Sequence, residues 1–405
     1  MNSIVRARAS GTIPDTVSRW TLSTKVLKTM AVSETKIVSR VHAAPVHWLA
    51  LDGIENRFLL SGGGDTSIQL FDLDPDRCKR SGSRAQRIKP AAHAPAGTGH
   101  AHLISCIEWY AVDTGMFTTS SYDCTVKVWD TNTMAEACQF DLLSRVYSHS
   151  MSPTGAHTLI AAVNESAYIR LCDLRTGSFA QSFLAHQTGA MAIAWSPAQP
   201  FVLASGGNDG KLKLWDIRRS DTQLFSFDRL NSALANTSNN GGSSGGDTCV
   251  AHEAAVNSVM FTNDGGGIIS AGHDSKIQLW STGSMRNALV TYQGTPQNSA
   301  PQAIEMAQTS AADGAAGNGV LFFPSSDCSV SMFELNTGKP VASLSGHFEP
   351  STCAVWRPGS LELYSSGCDG EIIAWCLPAG DMLSKEQADI RQDCWSDSNS
   401  EMGDG

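Results

Sequence analysis

Residues 203–219 read LASGGNDGKLKLWDIRR. Alternating apolar and polar positions on either side of a Gly-Asn-Asp-Gly run predict two antiparallel strands joined by a tight turn. Trp215 closes the second strand, six residues after Asp209. The same offset recurs at Asp65 and Phe71, Asp123 and Trp129, Asp274 and Trp280, Asp327 and Phe333, and Asp369 and Trp375. A further unit, YIRLCD, places Ser166 and Cys172 in these two positions. Upstream, a His stands nine residues before an apolar position in five units: His42 and Leu51, His100 and Trp109, His186 and Trp195, His252 and Phe261, His347 and Trp356.

The closing positions 71, 129, 172, 215, 280, 333 and 375 lie 42 or 43 residues apart where no insertion intervenes. That is the period of a four-stranded propeller blade. Seven units predict an all-β, seven-bladed propeller over residues 35–377, whose closure removes the exposed edges of an open sheet. After Trp375 the chain continues CLPAGDML, which holds no good strand. The last blade therefore needs an outer strand from elsewhere, and KIVSRV at 36–41 is the expected donor. Residues 16–30 predict a short helix, with Leu22, Val26 and Met30 on one stripe and Trp20 and Leu27 on the next, an apolar face for a partner. Stretches 81–99, 235–247 and 294–319 are expected to be flexible inserts, and 378–405 a polar tail.

Composition limits the function. The net charge of −10 argues against a protein that grips nucleic acid through its own phosphate contacts. No apolar run approaches the roughly 20 residues that span a bilayer, so no membrane partner is expected. Eleven cysteines are scattered with no CxxC spacing, which suits free thiols in a reducing compartment. Residues 1–30 hold several basic and hydroxyl side chains and one acid, a composition shared by docking segments and organellar transit peptides.

Ser205, His186 and Asp209 would meet within one blade and invite a hydrolytic reading. Equivalent sets recur at Ser61, His42, Asp65, at Ser270, His252, Asp274 and at Ser365, His347, Asp369, whereas a catalyst needs one site with an oxyanion hole. Repetition points to architecture, so no enzyme activity is expected. The histidines lie whole blades apart, so neither a metal site nor a cofactor is expected. The glycines of SGGGD and SAGHD precede strands instead of opening helices and read as turn glycines.

The succession of GH or AH, SGGGD or SGGND, and LWD or VWD resembles the WD-repeat family over nearly the whole of 35–377. The resemblance implies a buried hydrogen-bonded network of His42, His100, His186, His252 and His347 with Asp65, Asp123, Asp209, Asp274 and Asp369 and with Trp129, Trp215, Trp280 and Trp375. The run ending in Trp215-Asp216-Ile217-Arg218 also resembles the box of WD-repeat substrate receptors that dock on the damaged-DNA-binding adaptor of cullin-RING ubiquitin ligases. Arg175 repeats the arginine in the preceding unit. The segments DTGMFTTSSYDCTVKVWDTNT (113–133), VYSHSMSP (146–153), IRLCDLRTGS (169–178) and CWSDSNSE near the C-terminus resemble the Cockayne syndrome A family, substrate receptors of transcription-coupled DNA repair. That resemblance implies a nuclear, non-catalytic receptor whose partners are the adaptor, through it cullin and RING subunits, and a repair factor or stalled RNA polymerase II complex as substrate. Adaptor contacts would fall on Trp20, Leu22, Val26, Leu27, Met30, Arg175, Asp216 and Arg218. A scaffold of chromatin or RNA processing is the alternative, and an organellar location follows if the N-terminus is a transit peptide.

Overall fold

The computed structural model describes residues 27–34, 36–74, 86–219, 222–231, 250–294, 296–309 and 319–377. Seven four-stranded antiparallel sheets follow one another along the chain. Their inner strands contain Val46–Leu51, Ile104–Trp109, Val146–Met151, Ala190–Trp195, Val256–Phe261, Ala307–Gln308 and Ser351–Arg357. Six of these seven carry a register shift near the start, for example between Val46 and Trp48 and between Ser351 and Cys353. Such a bulge adds local twist. Side chains stitch the inner seams: Ser105 Oγ donates to Val146 O at 2.7 Å, Ser258 Oγ to Ile304 O at 2.6 Å, and Thr352 Oγ1 to Val46 O at 2.6 Å. Each bond satisfies a buried hydroxyl while joining two blades. The chain is thus an all-β, seven-bladed propeller.

Strand alternation defines two faces. The loop before each inner strand and the turn between the second and third strands lie on one face, here the upper. The turns after the first and third strands lie on the lower face.

Closure differs from the expectation. The last sheet is completed by Ala31–Val32, which pairs with Cys376 and Trp375 of Ile372–Cys376 and is extended by Ser33 N donating to Ala374 O at 2.8 Å. Lys36–Val38, at the start of the expected donor, instead runs parallel to Gln86–Ile88. Val38 and Ile88 are buried with Leu49, Phe71, Tyr364 and Ile372 in the seam between blades seven and one. An ionic cluster staples that seam: Lys36 Nζ lies 2.5 Å from Glu362 and 3.7 Å from Asp74, and Arg357 pairs with both acids. Arg357 is 6% exposed, and such a buried cation persists only with partners of this kind.

The other expected boundaries also shift. Pro90–Ala94, inside the expected 81–99 insert, is the outer strand of blade one. Much of 294–319 is packed: Asn298, Ala303, Ile304 and Met306 are buried and lead into the first strand of blade six. Residues 235–247, the tail from 378 and most of the expected 16–30 helix lie outside the described residues. The described end of that helix is a single turn, with Met30 N bonding Leu27 O at 3.1 Å.

Candidate protein-binding site

The upper face is organised by a repeated hydrogen-bonded chain. In blade four, Trp215 Nε1 donates to Ser205 Oγ at 2.9 Å, Ser205 lies 2.8 Å from His186 Nε2, and His186 Nδ1 lies 2.9 Å from Asp209. Asp209 then accepts from the backbone of Gln187 and Lys211, tying the loop to the turn. Burial lowers the His186 pKa against the pull of Asp209. Burial alone would raise the Asp209 carboxyl, yet the His186 contact holds it below the ordinary range. The neutral imidazole thus donates from Nδ1 to the carboxylate and accepts the Ser205 hydroxyl at Nε2.

The same tetrad forms in blade two through Trp129, Thr119, His100 and Asp123, in blade five through Trp280, Ser270, His252 and Asp274, and in blade seven through Trp375, Ser365, His347 and Asp369. Blade one keeps His42, Ser61 and Asp65 but has Phe71 in the indole position. Blade three uses Asn164, whose Oδ1 accepts from Ser166 N at 3.1 Å. Of the glycines read as turn residues, Gly64 is in the turn, whereas Gly62, Gly63 and Gly272 end strands: a Cβ on Gly272, or on Gly367 of blade seven, would meet the Nδ1 of His252 or His347 at 2.8 Å, so the absence of a side chain admits the ring. Ser205, Ser270 and Ser365 are fully buried beneath their indoles. Among the described residues no three His, Cys, Asp or Glu side chains gather as a metal site. Removing the imidazole in His186→Ala is expected to cost about 1 to 3 kcal/mol, because Asp209, Ser205 and Trp215 lose their shared partner. Chemical denaturation checks this, and an unchanged midpoint contradicts the network's role.

The lower face carries the arginines. Arg218 forms a two-pronged pair with Asp216, Nε to Oδ1 at 3.0 Å and Nη2 to Oδ2 at 2.8 Å, and lies 5.0 Å over the Phe201 ring. Its side chain is 60% exposed, so the pair orients the guanidinium without hiding it. Arg175 occupies the matching turn of blade three, exposed, with its backbone N–H on Asp173 at 3.0 Å. Leu27 and Met30 do not share that surface. They are buried with Val320, Phe322, Met332, Leu344, Trp356 and Trp375. Apolar side chains next to a closing strand gain more by filling the adjacent core than by waiting for a partner. Trp20, Leu22 and Val26 lie outside the described residues.

The central channel holds two groups that sequence spacing did not single out. Glu108 and Glu305 line a cavity of about 530 Å³ formed by the lower halves of the inner strands and the turns that follow. Glu108 accepts the Met151 N–H at 2.6 Å. Burial, and then the charge of Glu305, push the Glu108 pKa up to about 8, and burial does the same to Glu305. Above them Gln302 Nε2 donates at 2.7 Å to Nδ1 of His47, whose pKa burial lowers to about 4.

A profile of the family described as "WD domain, G-beta repeat" matches residues 94–130, 177–216, 246–281 and 338–376. These are the four segments that hold a complete tetrad. "WD repeat-containing protein ATCSA-1" of Arabidopsis thaliana is 30% identical, over 97% of this chain and 99% of that protein. "Radiation-sensitive protein 28" of Saccharomyces cerevisiae is 27% identical over 45% of this chain and 38% of its own length. A "Ribosome biogenesis protein WDR12 homolog" of Drosophila mojavensis is 28% identical over 41% of this chain and 39% of its own.

Proposed function

Because the chain belongs to the WD-repeat family, whose propellers are generally non-catalytic scaffolds, we propose that it is the substrate-receptor subunit of a nuclear cullin-RING ubiquitin ligase in transcription-coupled repair. The observation that carries this reading is the end-to-end likeness to ATCSA-1, which supports the resemblance to the Cockayne syndrome A family beyond the repeats shared by all propellers. The mechanism is positional. The lower face, with Arg218 held by Asp216 and Arg175 on the neighbouring blade, meets the adaptor together with residues 1–26. The opposite face presents a repair factor or stalled polymerase complex, raising the effective concentration of its lysines beside the ubiquitin-loaded subunit. Bond making takes place on other subunits.

A scaffold in ribosome biogenesis or other RNA processing is the second reading, favoured by the WDR12 homologues, although those matches cover only 41% to 54% of the chain. Recovery of the adaptor and cullin from nuclear extract with the full-length protein distinguishes the two. Arg175→Glu with Arg218→Glu is expected to weaken that recovery while leaving thermal melting close to wild type, since both side chains are exposed. Recovery of ribosome-assembly factors without adaptor or cullin overturns the ligase reading, and undiminished adaptor binding by the double variant removes the arginines from the interface.

A further inference from the structure

The outer rim of a propeller is a ring of edge strands, and six of the seven are blunted in familiar ways. The outer strands of blades one and six, Pro90–Ala94 and Pro340–Ser345, begin with proline. That of blade two, Ala135–Asp141, carries Glu136 and Asp141. Those of blades four, five and seven, Gln223–Ser226, Arg286–Asn287 and Ala31–Val32, have four, two and two residues. Blade three differs. Its outer strand, Ser178–Leu184, is seven residues of SFAQSFL, without charge or proline. Among the described residues no strand pairs with its outer side.

The same blade gathers exposed apolar side chains. Tyr168 is paired directly with Leu184, Arg170 with Ser182 and Cys172 with Phe179, so these side chains share one face of the sheet. Tyr168, Phe179 and Leu184 are 46%, 45% and 62% exposed. The missing tryptophan explains part of this. With Cys172 in its place, Phe179 leans onto Phe140 of blade two, 6.2 Å between ring centres, and remains half open to solvent.

Charge selects the occupant. The chain carries −10 overall, yet residues 168–184 hold Arg170 and Arg175 against Asp173 alone, two positive charges less one negative, a local +1. The Asp173 carboxylate is engaged by Thr158 Oγ1 at 2.8 Å and the Arg175 N–H at 3.0 Å. The Arg170 guanidinium lies 5.6 Å over the Phe179 ring, at the edge itself.

We infer that the rim of blade three receives an extended segment of a partner protein, whose side chains on the face turned to blade two run apolar, acidic, apolar at every second residue, as a fifth strand beside Ser178–Leu184. Its backbone pairs with the open edge, its apolar side chains cover Phe179, Leu184 and Tyr168, and the carboxylate between them reaches Arg170 past Ser182. This surface is independent of the adaptor reading, because it lies on the rim and not on the lower face.

The test is fluorescence anisotropy of the full-length protein with a labelled peptide Ser-Val-Ser-Asp-Ser-Val-Ser, which sets both Val and the Asp on one face of a strand, and with its counterpart bearing Lys in place of Asp. The acidic peptide is expected to bind at least about tenfold more tightly, with a preference that shrinks as salt rises. Phe179→Lys with Leu184→Lys is expected to abolish that binding with melting unchanged. Should the pair melt early, Leu184→Lys alone serves, because that side chain is largely exposed. Equal affinity for the two peptides, binding by neither, or undiminished binding by the variants overturns the proposal. So does concentration-dependent self-association of the wild type that Leu184→Lys abolishes, since a second copy would then be the occupant.

Discussion

Deleting residues 2–34 is expected to lower stability by on the order of 5 kcal/mol or to yield an aggregating protein, a loss comparable with the whole stability of an ordinary domain. Three contributions are removed together. Ala31–Val32 no longer covers Ile372–Cys376, so a hydrophobic edge opens in the last blade. Leu27 and Met30 leave cavities against Trp375 and Phe322, and burial of such side chains contributes about 1.5 to 3 kcal/mol each. The Ser33 N–H bond to Ala374 is lost as well. Deleting only residues 2–26 retains all three and is expected to melt like the full chain. In the proposed function this shorter deletion loses adaptor affinity, whereas removal of a transit peptide would change location and leave purified binding intact. Leu27→Ala in the full chain, at about 2 to 5 kcal/mol, checks that packing and not chain length carries the effect. Urea unfolding of the three proteins decides the matter: equal stability of the two deletions excludes Ala31–Val32 as the closing strand.

The tetrads were legible because each is contained within about one repeat. The His, the Ser or Thr, the Asp and the Trp of blade four lie between residues 186 and 215, so a fixed spacing in the chain becomes a fixed geometry in the blade. Closure was not legible in the same way. KIVSRV has the β-branched alternation of a strand, and Ala31–Val32 has two residues and no pattern of its own. What selects the shorter piece is tertiary: Leu27 and Met30 anchor it in the core between blades six and seven, while Val38 is drawn into the next seam beside Ile88. Leu27 and Met30, on adjoining stripes, were visible as apolar, but periodicity does not say whether a face meets its own chain or another. The inner strand of blade six was hidden for a related reason. Ala303, Ile304 and Met306 follow a stretch of small and polar residues, and their burial comes from the flanking blades, not from local alternation. Glu108 and Glu305 sit in different blades, so only ring closure brings them into one channel.

Replacing both channel glutamates, Glu108→Gln with Glu305→Gln, is expected to stabilise the protein at alkaline pH by about 2 to 4 kcal/mol, less than the full pKa displacement implies because a polar channel relaxes around charge. The direction follows from linkage. Both carboxyls are raised from an ordinary 4.5 to about 8, so their contribution is fully present below about pH 4.5 and is lost as pH rises through about 8. Three buried histidines, His47, His149 and His186, act the other way, His186 being lowered by burial against the pull of Asp209. His47 is lowered from 6.5 to about 4 and His149 to about 3, so their contribution is present above pH 6.5 and is lost as pH falls towards those values. Between about 4.5 and 6.5 the histidines oppose the glutamates, and the wild type should show a shallower pH dependence there than above 6.5. Between about 6.5 and 8 the histidines are neutral in both folded and unfolded chains and the glutamates set the slope, while the buried Cys106 and Cys353 thiols, pushed up by burial, add a decline only towards pH 9 and in both proteins. Wild-type stability should therefore decline from about pH 6.5 to about pH 8 and that of the double variant should not. The Met151 N–H keeps an acceptor in Glu108→Gln, so the substitution removes the ionisation and preserves the bond. Denaturation midpoints for both proteins at the two pH values test this: parallel declines would show that the glutamates ionise in the channel as freely as in the unfolded chain.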